Sequence, residues 1–489
     1  MFTTRTGIRN NNFETLSVQP GPGRLYPSSS PAFPRYLKPV LLGLLLFLLA
    51  LPQLGAQWLD GYCYRKQITI QESKIPDGYD LTDFPVLINI SSDNDLRDES
   101  FGGYVNNSNG WDLVFASSTG VQLDHDVELY DRTTGEFIAW VKIPILDYDE
   151  NTIIYLYFGH DTPASDPSTT DTWSNGFVSV YHLDDDENDA LGINNGTNVG
   201  SDNIAGIIND GRDFEYVDTQ DRIELGDFGL IGSSLTISAW IHPESFTIPD
   251  ARILSKATGS DSQEHWWMLS TIDNTELCFW LRTGSTTNIY EPDVSILTTA
   301  SWQYVSAVYD GSKMYIFHNG ALNGTGLDIT GNLNLGPSVD IAIGNQPFSA
   351  FADGEKPFDG IIDEVRISSV ARTSSWLTAE YNNISSPGTF YTLGSLVDNP
   401  PTASAGSNQN LCGTLVATLD GNPSIGTGLW TQVGGVGTVT FTDATSATSD
   451  ISVNLYGSYL LRWGETNGTC SDADTVAIDF NESPVSDAG

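Results

Sequence analysis

The chain has 489 residues, too many for one hydrophobic core and enough for about three domains. Gly is abundant (47), aromatics reach 11%, and Lys and Arg number only 21 against 62 Asp and Glu, a stock of turn and β formers. The formal charge of −41 argues against nucleic acid or an anionic membrane as partner, since both need clustered basic side chains, and suits solvation outside the cell or hard cations such as calcium.

Residues 40–51 (VLLGLLLFLLAL) form an apolar run, with Arg35 and Lys38 before it and Pro52 and small residues up to Ala56 after it. That order of charge, apolar core and small residues is the pattern of a secretory signal over 1–56, cleaved after Ala56. The run is shorter than the roughly 20 residues of a membrane span, and no second such run follows, so no span is expected in the mature chain. A secreted or cell-surface protein, of bacterial type, is the expectation. Four cysteines in an exported chain allow three pairings. Cys412 and Cys470 share the C-terminal segment and are the expected pair; Cys63 and Cys278 fall in different proposed domains and are expected as buried free thiols.

Residues 57–160 read as short strands between Asp-Gly, Asn-Gly and Thr-Gly turns: 64–71 (YRKQITIQ), 84–90 (FPVLINI) and 151–158 (NTIIYLYF). The polar, Pro-bearing stretch 161–174 reads as a linker. The segments 61–70 (GYCYRKQITI), 83–87 (DFPVL), 110–115 (GWDLVF), 123–128 (LDHDVE) and 139–144 (AWVKIP) resemble a bacterial extracellular domain of unknown function found upstream of LamG modules.

The next domain, 175–395, is similar to the LamG-like (concanavalin A-like) jellyroll family. The order 180–184 (VYHLD), 194–197 (NNGT), 212–215 (RDFE), 235–243 (LTISAWIHP), 302–310 (WQYVSAVYD), 313–320 (KMYIFHNG), 341–344 (IAIG) and 358–367 (FDGIIDEVRI) carries that resemblance. Residues 375–383 (SWLTAEYNN) resemble the short helical flap of bacterial members. The residues agree by themselves: 235–243 and 302–310 read as sandwich strands, and Asp310-Gly311 supplies hairpin turn chemistry. Beyond 400, residues 401–406 (PTASAG) recur as 484–489 (PVSDAG), so 400–481 reads as one repeat and 482–489 as the start of another. Cys412, Trp430, Trp463 and Cys470 within it resemble Ig-like and PKD-like repeats of surface proteins.

The jellyroll resemblance implies a structural calcium ion at Asp363 on the last strand and Asp184 near the first; the alternatives are a turn-capping or Arg366-paired Asp363 and a solvated Asp184. Trp266 and Trp267 are adjacent, so on a strand one faces the core and the other faces out or into a groove; with Tyr290 they are the candidate ligand platform, Trp280 nearby in sequence adding to a concave aromatic face, against the alternative that all pack between sheets. The glycosidase spacing Glu-x-Asp-x-x-Glu begins at Glu291 and Asp293 but is not completed, and His125, His160, His182, His242, His265 and His318 stand in no metal-binding or triad pattern. No catalytic residue is assigned. The reading is an all-β protein of tandem β-sandwiches with a central jellyroll. It binds polysaccharide or an extracellular protein; a glycoside hydrolase or its accessory module, or a structural stalk, are the alternatives.

Overall fold

The computed structural model describes residues 58–485 apart from 77, 161, 162, 164, 218, 219, 231, 273, 274, 293, 335–337 and 354. The expected signal region and the last residues of the expected second repeat, 486–489, lie outside the described residues. The architecture is three successive two-sheet units with few helices, the all-β class expected.

In the first unit, the strands Leu81–Ile90, Glu136–Leu146 and His125–Asp131 form one sheet. The other has the order Tyr391–Asp398, Tyr64–Ile70, Thr152–Phe158, Val114–Ser117. Its edge strand is the stretch expected to close the jellyroll: after the flap the chain returns and pairs Tyr391 with Ile70 and Asp398 with Tyr64. Residues 391–395, read from sequence with the jellyroll, therefore belong by pairing to the first unit. Ile68 and Ile70 supply the inward, alternating positions of the central strand.

The jellyroll proper stacks two sheets. One runs in the order Ala321–Asp328, Lys313–His318, Gln303–Tyr309, Leu235–Pro243, Gly360–Ser368, Asp210–Phe214, Asp202–Ala205, and Phe177–Tyr181 also pairs with Gly360–Ser368. The other runs Thr286–Tyr290, Glu276–Thr283, His265–Ile272, Arg252–Ala257, Ile341–Ile343, Arg222–Gly226, Thr197–Val199. Every residue of Gln303–Tyr309 is buried, which explains why its sequence lacks polar alternation. Val305, Ala307 and Tyr309 face the jellyroll core, whereas Tyr304 and Val308 join the core of the first unit. The flap helix Ser374–Ser385 covers this second face, burying Trp376, Leu377, Ala379, Glu380, Asn383 and Ile384 at helical spacing. Thr373 caps it by accepting from the Trp376 amide, and Pro387 follows its end. The eight-stranded sheet is thus wedged between two cores.

The C-terminal unit, within 400–481, is a small sandwich of a four-stranded and a three-stranded sheet. Trp430 and Trp463 are register partners and pack at 5.2 Å between ring centroids in its core. The expected Cys412–Cys470 pair is corrected here. Cys412 lies level with Asn481 while Cys470 begins the same strand, Cys470–Asn481, at its far end. At about 3.3 Å per residue the two are tens of ångströms apart, well beyond the ~7 Å that a disulfide spans. Cys470 instead bonds Cys63, with Cα atoms 5.6 Å apart. Cys412 is an exposed free thiol, and Cys278 is buried and free as expected. The Asn467 amide reinforces the junction by donating to Tyr62 O (3.0 Å) and Asn399 O (3.2 Å). No helix among the described residues is long and apolar enough to cross a membrane.

Candidate functional site

The seven-stranded sheet turns its outer face away from the core shared with the first unit. Alternation along His265–Ile272 sends Trp267 and Leu269 inward and Trp266 and Met268 outward. On the next strand Trp280 is the register partner of Met268, and the Arg282 guanidinium lies 5.1 Å over the Trp266 ring. Trp266 and Trp280 are half-buried, and both indole N–H groups are shielded and lack an acceptor among the described residues. His265 meets Trp280 edge-on at 4.7 Å. Burial above all, then the Arg252 charge, lowers the His265 pKa to about 3, so the ring is neutral. Arg252 is fully buried on this face, held by Asp250 (2.8 Å), with Nε and Nη2 lacking a hydrogen-bond acceptor among the described residues.

Of the expected platform, only Trp266 lies on this outer face. Trp267 is in the core. Tyr290 pairs with Phe279 and is buried, its hydroxyl donating to Asn323 O (3.2 Å) and accepting from the Gly326 amide (2.8 Å). Both are withdrawn from the platform, because strand alternation places them between the sheets. Trp280, the neighbour already noted in the sequence, takes their place, because its one-residue offset from core Phe279 and Leu281 turns it outward.

Asp184 and Asp363, by contrast, lie in the seam where the first unit meets the eight-stranded sheet. Asp363 Oδ2 accepts from the amides of Ile207 (2.8 Å) and Ile208 (3.1 Å), and Oδ1 from that of Glu364 (2.7 Å). The turn it holds is so tight that a Cβ on Gly206 would collide with Asp363 Oδ2. Asp184 accepts from the Asp210 amide at 3.2 Å. Around them stand Asp126, Glu128, His182 and Glu364, a group not singled out from sequence because it comes from three distant segments. Burial, then the Glu364 charge, pushes Asp363 well above the carboxylate range. Burial, with Glu364 adding to it and His182 opposing, brings Asp184 to about 6.

A β-bulge builds the seam. The pairing of Leu235–Pro243 with Gly360–Ser368 shifts register between Asp363 and Arg366, and Glu364 takes φ +49°. Ile362 and Val365 keep their core positions while Asp363 and Glu364 both leave the core face. Arg366 then ties Glu364 (2.6 Å) and Glu380 of the flap helix into one buried network, which Tyr304 extends by donating to Glu380 (2.8 Å).

Residues 217–378 match the concanavalin A-like lectin/glucanases superfamily, and residues 109–197 match a domain of unknown function, DUF2341. The chain therefore carries a concanavalin A-like domain with a DUF2341 domain upstream of it. No curated protein matches it. It is similar to domain 4 of AbnA, a GH43 extracellular arabinanase from Geobacillus stearothermophilus solved in complex with arabinotriose: 19% identity and TM-score 0.33, over 41% of this chain and 96% of that one. It is also similar to the CBM40 of the Ruminococcus gnavus IT-sialidase bound to α2,3 sialyllactose, at 12% identity and TM-score 0.28, over 38% and 96%. A PKD domain from the KIAA 1837 protein is similar at 21% identity and TM-score 0.17, over 20% and 100%.

Proposed function

We propose that this chain is an exported, surface-acting protein whose jellyroll binds carbohydrate on the outer face of the seven-stranded sheet, for adhesion or substrate capture. The observation that carries the reading is the pair of half-buried indoles, Trp266 and Trp280, on neighbouring strands of the seven-stranded sheet, which among the described residues contributes nothing to the core shared with the first unit. Indole faces stack on the apolar face of a sugar ring, and Arg282 beside Trp266 supplies donors for its hydroxyl oxygens. Export is supported by the apolar leader pattern and by the Cys63–Cys470 disulfide, which an oxidising compartment sustains.

The test is a glycan-array screen of the full chain with Trp266→Ala and Trp280→Ala variants beside it. Selective binding that falls about tenfold or more in either variant is the expected result. A folded chain that binds no glycan, or variants that bind as the parent does, would sink the reading and favour a protein ligand or a structural stalk. Running the screen with calcium and again with chelator tests whether calcium at Asp184 and Asp363 supports the binding face.

A further inference from the structure

We propose that Glu128, His182 and Glu364 form a binding site for one divalent transition-metal ion of the zinc class, at the seam between the DUF2341 domain and the jellyroll. Their potential ligand atoms all lie within 4.8 Å of one another. Glu128 comes from the first unit, while His182 directly follows the first strand of the jellyroll region, Phe177–Tyr181, and Glu364 lies on its last, Gly360–Ser368, so an ion here joins two domains.

The donors are arranged in two shells. His182 Nδ1 lies 2.7 Å from Glu364 Oε1 and 3.5 Å from Glu128 Oε2. One oxygen of each glutamate is held from outside: Trp140 Nε1 donates to Glu128 Oε2 (2.9 Å), and Arg366 Nη2 donates to Glu364 Oε2 (2.6 Å). Glu364 Oε1 is joined to His182 Nδ1 by a hydrogen bond whose proton an ion would replace, and Glu128 Oε1 remains for the ion. Glu128 Oε1 is the telling atom. The Glu128 side chain is 2% exposed, no donor among the described residues is hydrogen-bonded to Oε1, and the side chain within hydrogen-bonding reach of Glu128 on that side is another carboxyl, that of Asp184. A buried carboxylate oxygen without a donor is costly unless a cation meets it.

The imidazole is oriented in the manner of a metal ligand. Asp126 Oδ2 lies 3.6 Å behind Nε2 and is itself held by Trp173 Nε1 (2.9 Å). With an ion in place of the proton that joins Nδ1 to Glu364 Oε1, Asp126 would stand behind the far nitrogen to take its N–H and orient the ring. Trp140 stacks on the ring at 5.9 Å and 18°, and Trp173 packs at 5.6 Å, which locks its plane. A cavity of about 380 Å³ opens on Asp126, Glu128, His182 and Asp184, giving an ion a route in and room for water to complete its coordination. One imidazole and two carboxylates suit zinc, manganese or cobalt; calcium prefers six to eight oxygens and no nitrogen. The three ligands are separate from Trp266, Trp280 and Arg282 of the carbohydrate face, so either reading can fail alone.

The test strips the purified full chain with chelator, reloads it with zinc or cobalt(II), and reads bound metal by mass spectrometry and cobalt by its visible absorption. About one ion per chain is expected, with a rise in Tm on adding zinc. Glu128→Gln and His182→Gln are each expected to weaken binding at least tenfold and to abolish the cobalt band, with native circular dichroism retained. Asp126→Asn, which leaves the three ligands in place, is expected to weaken binding about tenfold and covers the case in which a ligand variant does not fold. A folded parent that retains no zinc or cobalt, binding that survives all three substitutions, or a preference for calcium over zinc would each overturn the proposal.

Discussion

Asn383 is expected to be among the most sensitive polar positions in the molecule, although it touches no ligand surface. Leu81–Ile90 is an edge strand, and the outward amide and carbonyl of Leu87 have no strand to pair with. Asn383, on the flap helix, replaces that strand: its Oδ1 accepts from Leu87 N at 2.7 Å and its Nδ2 donates to Leu87 O at 3.1 Å. Leu87 is fully buried and Asn383 1% exposed, so water cannot take over either bond. Asn383→Ala strands two buried backbone groups at about 1–3 kcal/mol each, giving an expected loss of ~2–5 kcal/mol. The same edge supplies a control. The Tyr391 hydroxyl accepts from Asn89 N (3.0 Å) and donates to Asn89 O (2.7 Å), but Asn89 is half-buried, so Tyr391→Phe should cost only ~1–2 kcal/mol. Urea unfolding followed by tryptophan fluorescence reads the transition that includes Trp140, Trp173 and Trp376. Because a chain of several units need not unfold in one step, hydrogen exchange of the Leu87 amide supplies the local measurement. An Asn383→Ala variant that loses less than ~0.5 kcal/mol and keeps Leu87 protected would refute the claim that this side chain completes the edge.

Two further outcomes are expected. Thiol titration of the oxidised native chain should find one reactive group, Cys412, and a second, Cys278, only on unfolding; Cys470→Ser should cost ~2–4 kcal/mol and add the buried Cys63 to the thiols that react on unfolding, whereas two reactive native thiols would contradict the Cys63–Cys470 bond. His265 titrates near pH 6.5 when unfolded but at about 3 when folded, because of burial, then the Arg252 and Lys356 charges, with Ser260 opposing. Its contribution is therefore complete above about pH 6.5 and is lost as pH falls from there toward 3, so the parent should lose ~1–3 kcal/mol more than His265→Gln between pH 7 and 4. Equal acid slopes in denaturant titrations of the two proteins would show that His265 is not the group responsible.

The composition and strand patterns determine the all-β class, and the order of motifs from Tyr181 to Ile367 carries the jellyroll, because alternation and turn chemistry are local properties that a chain displays before it folds. The same locality separates Trp266 from Trp267 once the strand is known. It could not tell which outward residues are free. Every position of Gln303–Tyr309 is buried because a second core, made by the first unit and the flap helix, covers that sheet, and nothing in QYVSAVY says which core takes which face. Nor could spacing along the chain pair Cys63 with Cys470, or return Tyr391–Asp398 to the first sheet. The seam shows the limit most plainly. Glu128, His182 and Glu364 are unremarkable in their own segments, and a register shift at Glu364, set by how two strands pair, turns one of them out of the core. Local sequence specifies elements and the faces they offer; which faces meet is decided by packing among segments hundreds of residues apart, and that meeting brings three ordinary side chains within ligand distance.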